Sequence, residues 1–162
     1  MIVRPAEFSD SKEIASIWNP YIKDTFVTFN AVEKNQEEVC SLIKDRRNDG
    51  HEFWVAIRDD KIIGFASYAQ LRTGVGYRYS MEHTIIISDK YKSLGIGKNL
   101  MGVLCAHAKK RDINSMWAGV SALNTAAIKF HEGLEFKTVA RLPEVGYKFG
   151  SLIDLVLMRK LL

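Results

Sequence analysis

Apolar positions change their period several times along the chain. Ile14, Ile17, Trp18 and Tyr21 recur at helical spacing behind Ser9 and Asp10. Either of those two can cap a helix, and Glu13 stands three residues beyond Asp10. Pro20 predicts a bent or released last turn. A short strand fits Ile2–Arg4, and a second helix fits Asn35–Asn48, stopped by Asp49-Gly50. The period then becomes that of strands. Glu52–Arg58 and Ile62–Leu71, joined by the polar turn Asp59-Asp60-Lys61, predict a hairpin. Gly74-Val75-Gly76 marks a loop before a third long strand, Ser80–Ser88. Helix Gly97–Lys110, strand Ser115–Val120, a helix from Asn124 to about Glu132, and strands Phe136–Leu142 and Leu152–Met158 complete the chain. Hairpins combined with βαβ crossovers predict an α/β fold in one domain, 1–162, with a mixed, mostly antiparallel sheet and helices on both faces.

Composition narrows the class. A chain of 162 residues, 47% hydrophobic and 26% charged, can bury a sizeable core. It has no apolar run near the ~20 residues that span a bilayer. The N-terminus meets Glu7 and Asp10 at once and lacks the apolar core of a signal peptide, so the expected location is cytoplasmic with no membrane partner. Cys40 and Cys105 lie in predicted helices outside any CxxC and are expected to be buried free thiols. The net charge of +4 is scattered, with short clusters at Lys44–Arg47 and Lys109–Arg111. These are either solvated helix ends or a basic rim for an anionic ligand, and they are too sparse for a nucleic-acid stripe. There is no HExxH or GxSxG, and Glu82-His83 and His131-Glu132 are adjacent pairs that point apart, so no metal site or triad is expected.

The loop Ser93–Lys98, SLGIGK, sits between the third long strand and a helix. It is not a P-loop, because Lys92 stands where the first glycine belongs and Asn99 follows Gly97-Lys98. Nor is it a dinucleotide fingerprint, because Leu100 replaces the third glycine. Glycines still allow close backbone approach, the helix start aims N–H groups at the loop, and Lys92 and Lys98 add charge. The stretch suits a diphosphate; a plain strand-to-helix turn is the alternative.

The segment ISDKYKSLGIGKNLM resembles the acetyl-CoA pyrophosphate loop of the GNAT N-acetyltransferases, and Asn124–Phe136 (NTAAIKFHEGLEF) resembles that superfamily's second signature. YRYSMEHTIIIS at Tyr77–Ser88, FHE at Phe130–Glu132 and EVGYKFGSLIDLVLM at Glu144–Met158 narrow the likeness to the phosphinothricin/methionine sulfoximine acetyltransferases, over essentially the whole chain. Three positions depart from the usual pattern. Lys92 replaces Gln or Arg, Glu135 replaces the glycine of "LGF", which requires a remade turn that could use Gly133, and His131 stands where many GNAT enzymes have Tyr.

The resemblance implies a GNAT fold with splayed central strands and transfer of acetyl from acetyl-CoA to the α-amine of a small amino acid analogue: phosphinothricin, methionine sulfoximine or methionine sulfone. Another amine, such as a polyamine or peptide N-terminus, or a non-catalytic CoA-binding module, are the alternatives. The amine must lose a proton, and the resemblance places Glu82 as the base, among apolar neighbours that raise a carboxylate's pKa. The backbone of Ile85, Ile86 and Ile87 is expected to bind pantetheine and meet the oxyanion. Lys92, Ser93, Leu94, Gly95, Ile96, Gly97 and Lys98, with Asn124 and Gly133, are the remaining cofactor candidates. His131 or Tyr147 could protonate the leaving thiolate. Arg72 or Arg78 could clamp an α-carboxylate, with Phe29 and Tyr79 walling the pocket. The resemblance also implies a homodimer.

Overall fold

The computed structural model describes residues 1–162. Its elements are β1 (Ile2–Pro5), α1 (Ser11–Asp24), α2 (Gln36–Asn48), β2 (Phe53–Arg58), β3 (Lys61–Gln70), β4 (Ser80–Ile87), α3 (Ile96–Lys110), β5 (Ser115–Ser121), α4 (Thr125–Glu132), β6 (Lys137–Lys148) and β7 (Ser151–Leu161). Seven strands form one sheet in the order β1-β2-β3-β4-β5-β7-β6, and every pairing except β4–β5 is antiparallel. Side-chain alternation along β3 divides the core. Phe65 packs with Ile14, Ile22 and Ile43 of α1 and α2, while Ala66 and Tyr68 pack with Leu100 and Leu104 of α3 on the other face.

The expected element order and sheet type are present. Asp59 and Asp60 both adopt positive φ, 51° and 57°, and close the β2–β3 hairpin as a two-residue turn. Asn35 caps α2 with a reciprocal Glu38 bond. Three local expectations change. Asp10 does not cap α1 with its side chain; it holds Arg4 at 2.7 Å and accepts from the Glu7 N–H. Pro20 lies inside α1, which continues to Asp24. β6 does not stop at Leu142: a bulge between Leu142 and Gly146 absorbs Pro143 and Glu144 (φ 54°), and the strand resumes to Lys148. Pro143 is tolerated because β6 is an edge strand. Both cysteines are free and half-buried rather than buried.

One irregularity positions everything that follows. The parallel strands β4 and β5 pair only over Ser80–Glu82 and Ser115–Trp117, although both run on, to Ile87 and Ser121. Beyond Glu82 the sheet splits, and the split opens a cleft of about 850 Å³.

Candidate active site

The edge of β4 that faces the split carries unpaired backbone groups. Leu71 N–H donates to Ser80 O and Ser88 N–H donates to Ile63 O, and the β3–β4 register between them is unbroken. Alternation in an antiparallel ladder therefore turns the even-numbered residues of β4 toward β3 and the odd-numbered ones, His83, Ile85 and Ile87, toward the gap. Of the expected trio, Ile86 lends its backbone to the ladder and its side chain to the core, leaving Ile85 with a free edge and Ile87 with a free N–H. Tyr21 of α1 closes the far end, donating to Ile87 O at 2.6 Å.

Glu82 stands on β4 where the split begins. Its carboxylate makes no hydrogen bond or ion pair within the chain, and burial pushes its pKa up from the ordinary carboxylate value. Space for it is left by Gly119 on β5: a Cβ there would lie 2.7 Å from Glu82 Oε1. A glycine in the middle of a strand thus has a local reason, the close approach of the Glu82 side chain.

The loop after β4 enters α3 through Gly95, which holds a left-handed φ of 76° as the N-cap. The first helical bond runs from Asn99 N–H to Gly95 O at 3.2 Å, so the preceding N–H groups are free to face an anion. Lys98 lines the cleft here, and so does Lys92. Lys92 pairs with Asp89 at 2.6 Å and lies 5.0 Å from the Tyr21 ring centroid. Burial works against its ammonium, but the Asp89 contact prevails and holds its pKa above the usual lysine value. A Cβ on Gly97 would come within 2.9 Å of the Phe130 ring, so this glycine also lets α4 pack against the first turn of α3. Asn124 caps α4 by accepting from Ala127 N–H at 3.1 Å, and it too lines the cleft.

His131 of α4 reaches under the split to His83. Its Nδ1 lies 2.7 Å from Ala127 O, and the two Nε2 atoms are 3.1 Å apart. A carbonyl only accepts, so His131 Nδ1 carries the proton and His131 Nε2 accepts from His83 Nε2–H. His83 Nδ1 is then a buried acceptor without a partner. Burial lowers the pKa of both rings, His83 to about 3, with His131 adding repulsion to a charged His83. In this arrangement His131 has no proton directed at the cleft, which argues against the expected acid role. The alternative acid, Tyr147, is 65% exposed on β6 and is no part of the cleft wall.

Several sequence-based assignments thus come together in the cleft: Glu82, Ile85, Ile87, Lys92, Ser93, Gly95, Ile96, Gly97, Lys98, Asn124 and Phe29. Leu94 and Gly133 lie outside it. Leu94 is 55% exposed, and Gly133 caps the far end of α4 in an ordinary right-handed conformation. The remade turn uses Glu135 itself, at φ 68°, rather than Gly133. Arg72, Arg78 and Tyr79 are exposed on the β3–β4 loop and outside the cleft wall, with Arg78 stacked 4.8 Å over the Tyr79 ring. Residues that sequence reasoning did not assign to the site also line the cleft: His83, Gly119 and Arg46. Arg46 was visible only as part of the basic cluster Lys44–Arg47, and Gly119 only as a small residue in a strand.

A profile of the acetyltransferase (GNAT) family matches residues 14–136. The chain belongs to the GNAT acetyltransferase family. As such it is an acetyl-CoA-dependent N-acetyltransferase, and the cleft fits that co-substrate: the gap-facing β4 edge, the α3 N-terminus and Lys98 all line it. Among curated proteins it is 28% identical to the L-methionine sulfoximine/L-methionine sulfone acetyltransferase of Salmonella typhimurium, over 98% of this chain and 93% of that one. It is also 28% identical to the phosphinothricin N-acetyltransferase of Streptomyces coelicolor, over 94% of this chain and 91% of that one. Among solved structures, a ribosomal-protein-alanine N-acetyltransferase from Brucella melitensis superposes with a TM-score of 0.97 at 30% identity, covering 100% of both chains. An acetyltransferase from Salmonella typhimurium, solved with its cofactor acetyl-CoA, gives 0.95 at 28% identity over 99% of this chain and 92% of that one.

Proposed function

We propose that this acetyltransferase acts on the α-amine of a small amino acid analogue, with methionine sulfoximine, methionine sulfone and phosphinothricin the favoured acceptors. The observation that carries the reading is Glu82, an unpaired, half-buried carboxylate with a raised pKa at the point where β4 and β5 part. In this reading 1–162 works as one catalytic unit.

Acetyl-CoA supplies an activated acetyl thioester. The backbone edges of Ile85 and Ile87 bind its pantetheine arm, and the α3 N-terminus with Gly95, Gly97 and Lys98 receives its diphosphate. Glu82 takes the ammonium proton, directly or through water, so that the amine can attack. Negative charge developing on the acetyl oxygen meets an N–H from the unpaired β4 edge, at Ile85. The neutral His83–His131 chain joins β4 to α4 and holds that edge in place. The thiolate leaves without a proton from His131.

We also propose a homodimer in the cytoplasm. The edge hairpin β6–β7 exposes Val139, Val145, Tyr147, Phe149 and Leu152 together with part of Leu142, an apolar surface suited to a second copy. No helix is long and apolar enough to cross a membrane, and free thiols fit a reducing compartment. Sedimentation of Val145→Asp as a monomer, against a dimeric parent, supports the assembly; a monomeric parent removes it.

A second reading, acetylation of a peptide N-terminus, is favoured by the likeness to the Brucella structure. A thiol-release assay with acetyl-CoA and a panel of amino acids, polyamines and peptides separates the two. Release with methionine sulfone and none with peptides supports the amino acid. The reverse supports the peptide. Tight CoA binding with no release from any amine identifies a binding module.

A further inference from the structure

Two neighbouring arginines on α2 have different surroundings. Arg47 pairs with Glu52 at 3.0 Å and also donates to Ala6 O. Arg46 has no ion pair. Its one side-chain bond is from Nε to Ser67 Oγ, at 3.2 Å. Its terminal nitrogens have no partner in the chain and keep solvent access, and Arg46 lines the cleft. Burial lowers its pKa, with Asp49 and Asp45 opposing only at a distance. A half-buried guanidinium with an open fork and no carboxylate in contact is costly unless an anion completes it.

Its placement says which anion. Ser67 of β3 pairs with Thr84 of β4, and Ala69, two residues on, pairs with Glu82. Residues two apart in a strand share a face, and paired residues share it too, so Ser67, Thr84, Ala69 and Glu82 all point to the α1–α2 side. Through Ser67, Arg46 therefore reaches down onto the face that carries Glu82, at a position one strand spacing of ~4.8 Å and one pleat repeat from Glu82. The diphosphate loop lies beyond the far end of β4, past Ile87. An α-amino acid carries its amine and carboxylate on one carbon, so an amine held at Glu82 brings the carboxylate toward Arg46. Polyamines and peptide N-termini have no such group.

We propose that Arg46 receives the α-carboxylate of the acceptor and thereby selects free amino acids. The proposal rests on the amino acid reading above and names the residue that enforces it. The guanidinium donates from its two terminal nitrogens to the two carboxylate oxygens while Nε stays on Ser67 Oγ.

The experiment compares L-methionine sulfone with its decarboxylated amine, 3-(methylsulfonyl)propan-1-amine, in the parent, Arg46→Met and Arg46→Lys, with melting curves for each. The expected result is a KM for methionine sulfone raised roughly 10- to 100-fold in Arg46→Met, the loss of one charge-assisted pair. kcat/KM for the decarboxylated amine should stay within about twofold, and Arg46→Lys should recover part of the loss. An unchanged KM in a folded Arg46→Met that still turns over methionine sulfone overturns the Arg46 assignment and leaves the amino acid reading standing. Equal losses for both acceptors reduce Arg46 to a structural role and overturn it as well. A parent that acetylates no amino acid overturns both.

Discussion

One proton lies between His83 Nε2 and His131 Nε2, 3.1 Å apart, and it belongs to His83. The Ala127 carbonyl decides this, because it obliges His131 Nδ1 to be the donor on its own side. The pair is a neutral, nearly stacked clamp with ring centroids 5.0 Å apart. Protonating His131 at Nε2 would set two N–H groups head-on, and protonating His83 at Nδ1 would leave a charged N–H buried without an acceptor.

That arrangement makes stability pH-dependent. Burial lowers the folded-state pKa of both rings, to about 3 for His83. The unfolded chain binds protons near the ordinary histidine value of about 6.5. The stability contributed by the neutral rings is therefore complete above that value and is lost as pH falls toward 3. Each such proton costs up to about 1.4 kcal/mol per pH unit. Denaturant titrations between pH 7 and pH 5 should show a shallower fall in His83→Gln than in the parent. Equal slopes would mean that His83 takes up its proton alike in the folded and unfolded states. His131→Gln should lose stability and some kcat, with no loss of a basic limb in the pH profile; disappearance of such a limb would restore His131 as an acid.

Glu82→Gln removes the proposed base while keeping the shape. A fall in kcat/KM of roughly 10²- to 10⁴-fold is expected. In the parent, the acidic limb of the profile should lie above the ordinary carboxylate range, because burial raises the Glu82 pKa and the base works only when ionised. Full kcat at every pH in Glu82→Gln would discard Glu82 as the base.

Gly119→Ala puts a methyl 2.7 Å from Glu82 Oε1 at its present position. The carboxylate is the free end of a flexible side chain, so it moves and the fold survives. We expect a melting temperature within a few degrees of the parent and a kcat reduced by about one to two orders of magnitude through misplacement of the base. A variant with normal kcat would show that Glu82 works from another rotamer.

Glu135 occupies a left-handed conformation, φ 68°, that glycine adopts without strain. Its contact with Lys160, at 2.9 Å, lies at the surface, where ion pairs contribute little. Glu135→Gly should raise the melting temperature by a few degrees. A lower melting temperature would show that the Lys160 contact outweighs the backbone strain.

Period, turn residues and caps determined the order of elements from sequence alone, because they are local. The two aspartates of the β2–β3 turn and the Asn35 box act within a few residues of themselves. The loop Ser93–Lys98, Asn124 and Glu82 were legible for a related reason: each lies in a contiguous motif whose spacing survives without the fold. The length of β6 was not, since the expected strand ended at Leu142 and only pairing with β7 carries it past Pro143 and Glu144. The cationic lining of the cleft was least legible. Arg72 and Arg78 are near Glu82 in sequence and exposed in space, whereas Arg46, far away on α2, lines the cleft and bonds Ser67, which strand register places beside Thr84. Histidine protonation was also decided by tertiary contact, through one carbonyl on α4 and one ring on β4. Local chemistry wrote the strand, the loop and the helix starts into the sequence. Which side chains share a face, and which lose their water, depended on packing between segments far apart in the chain.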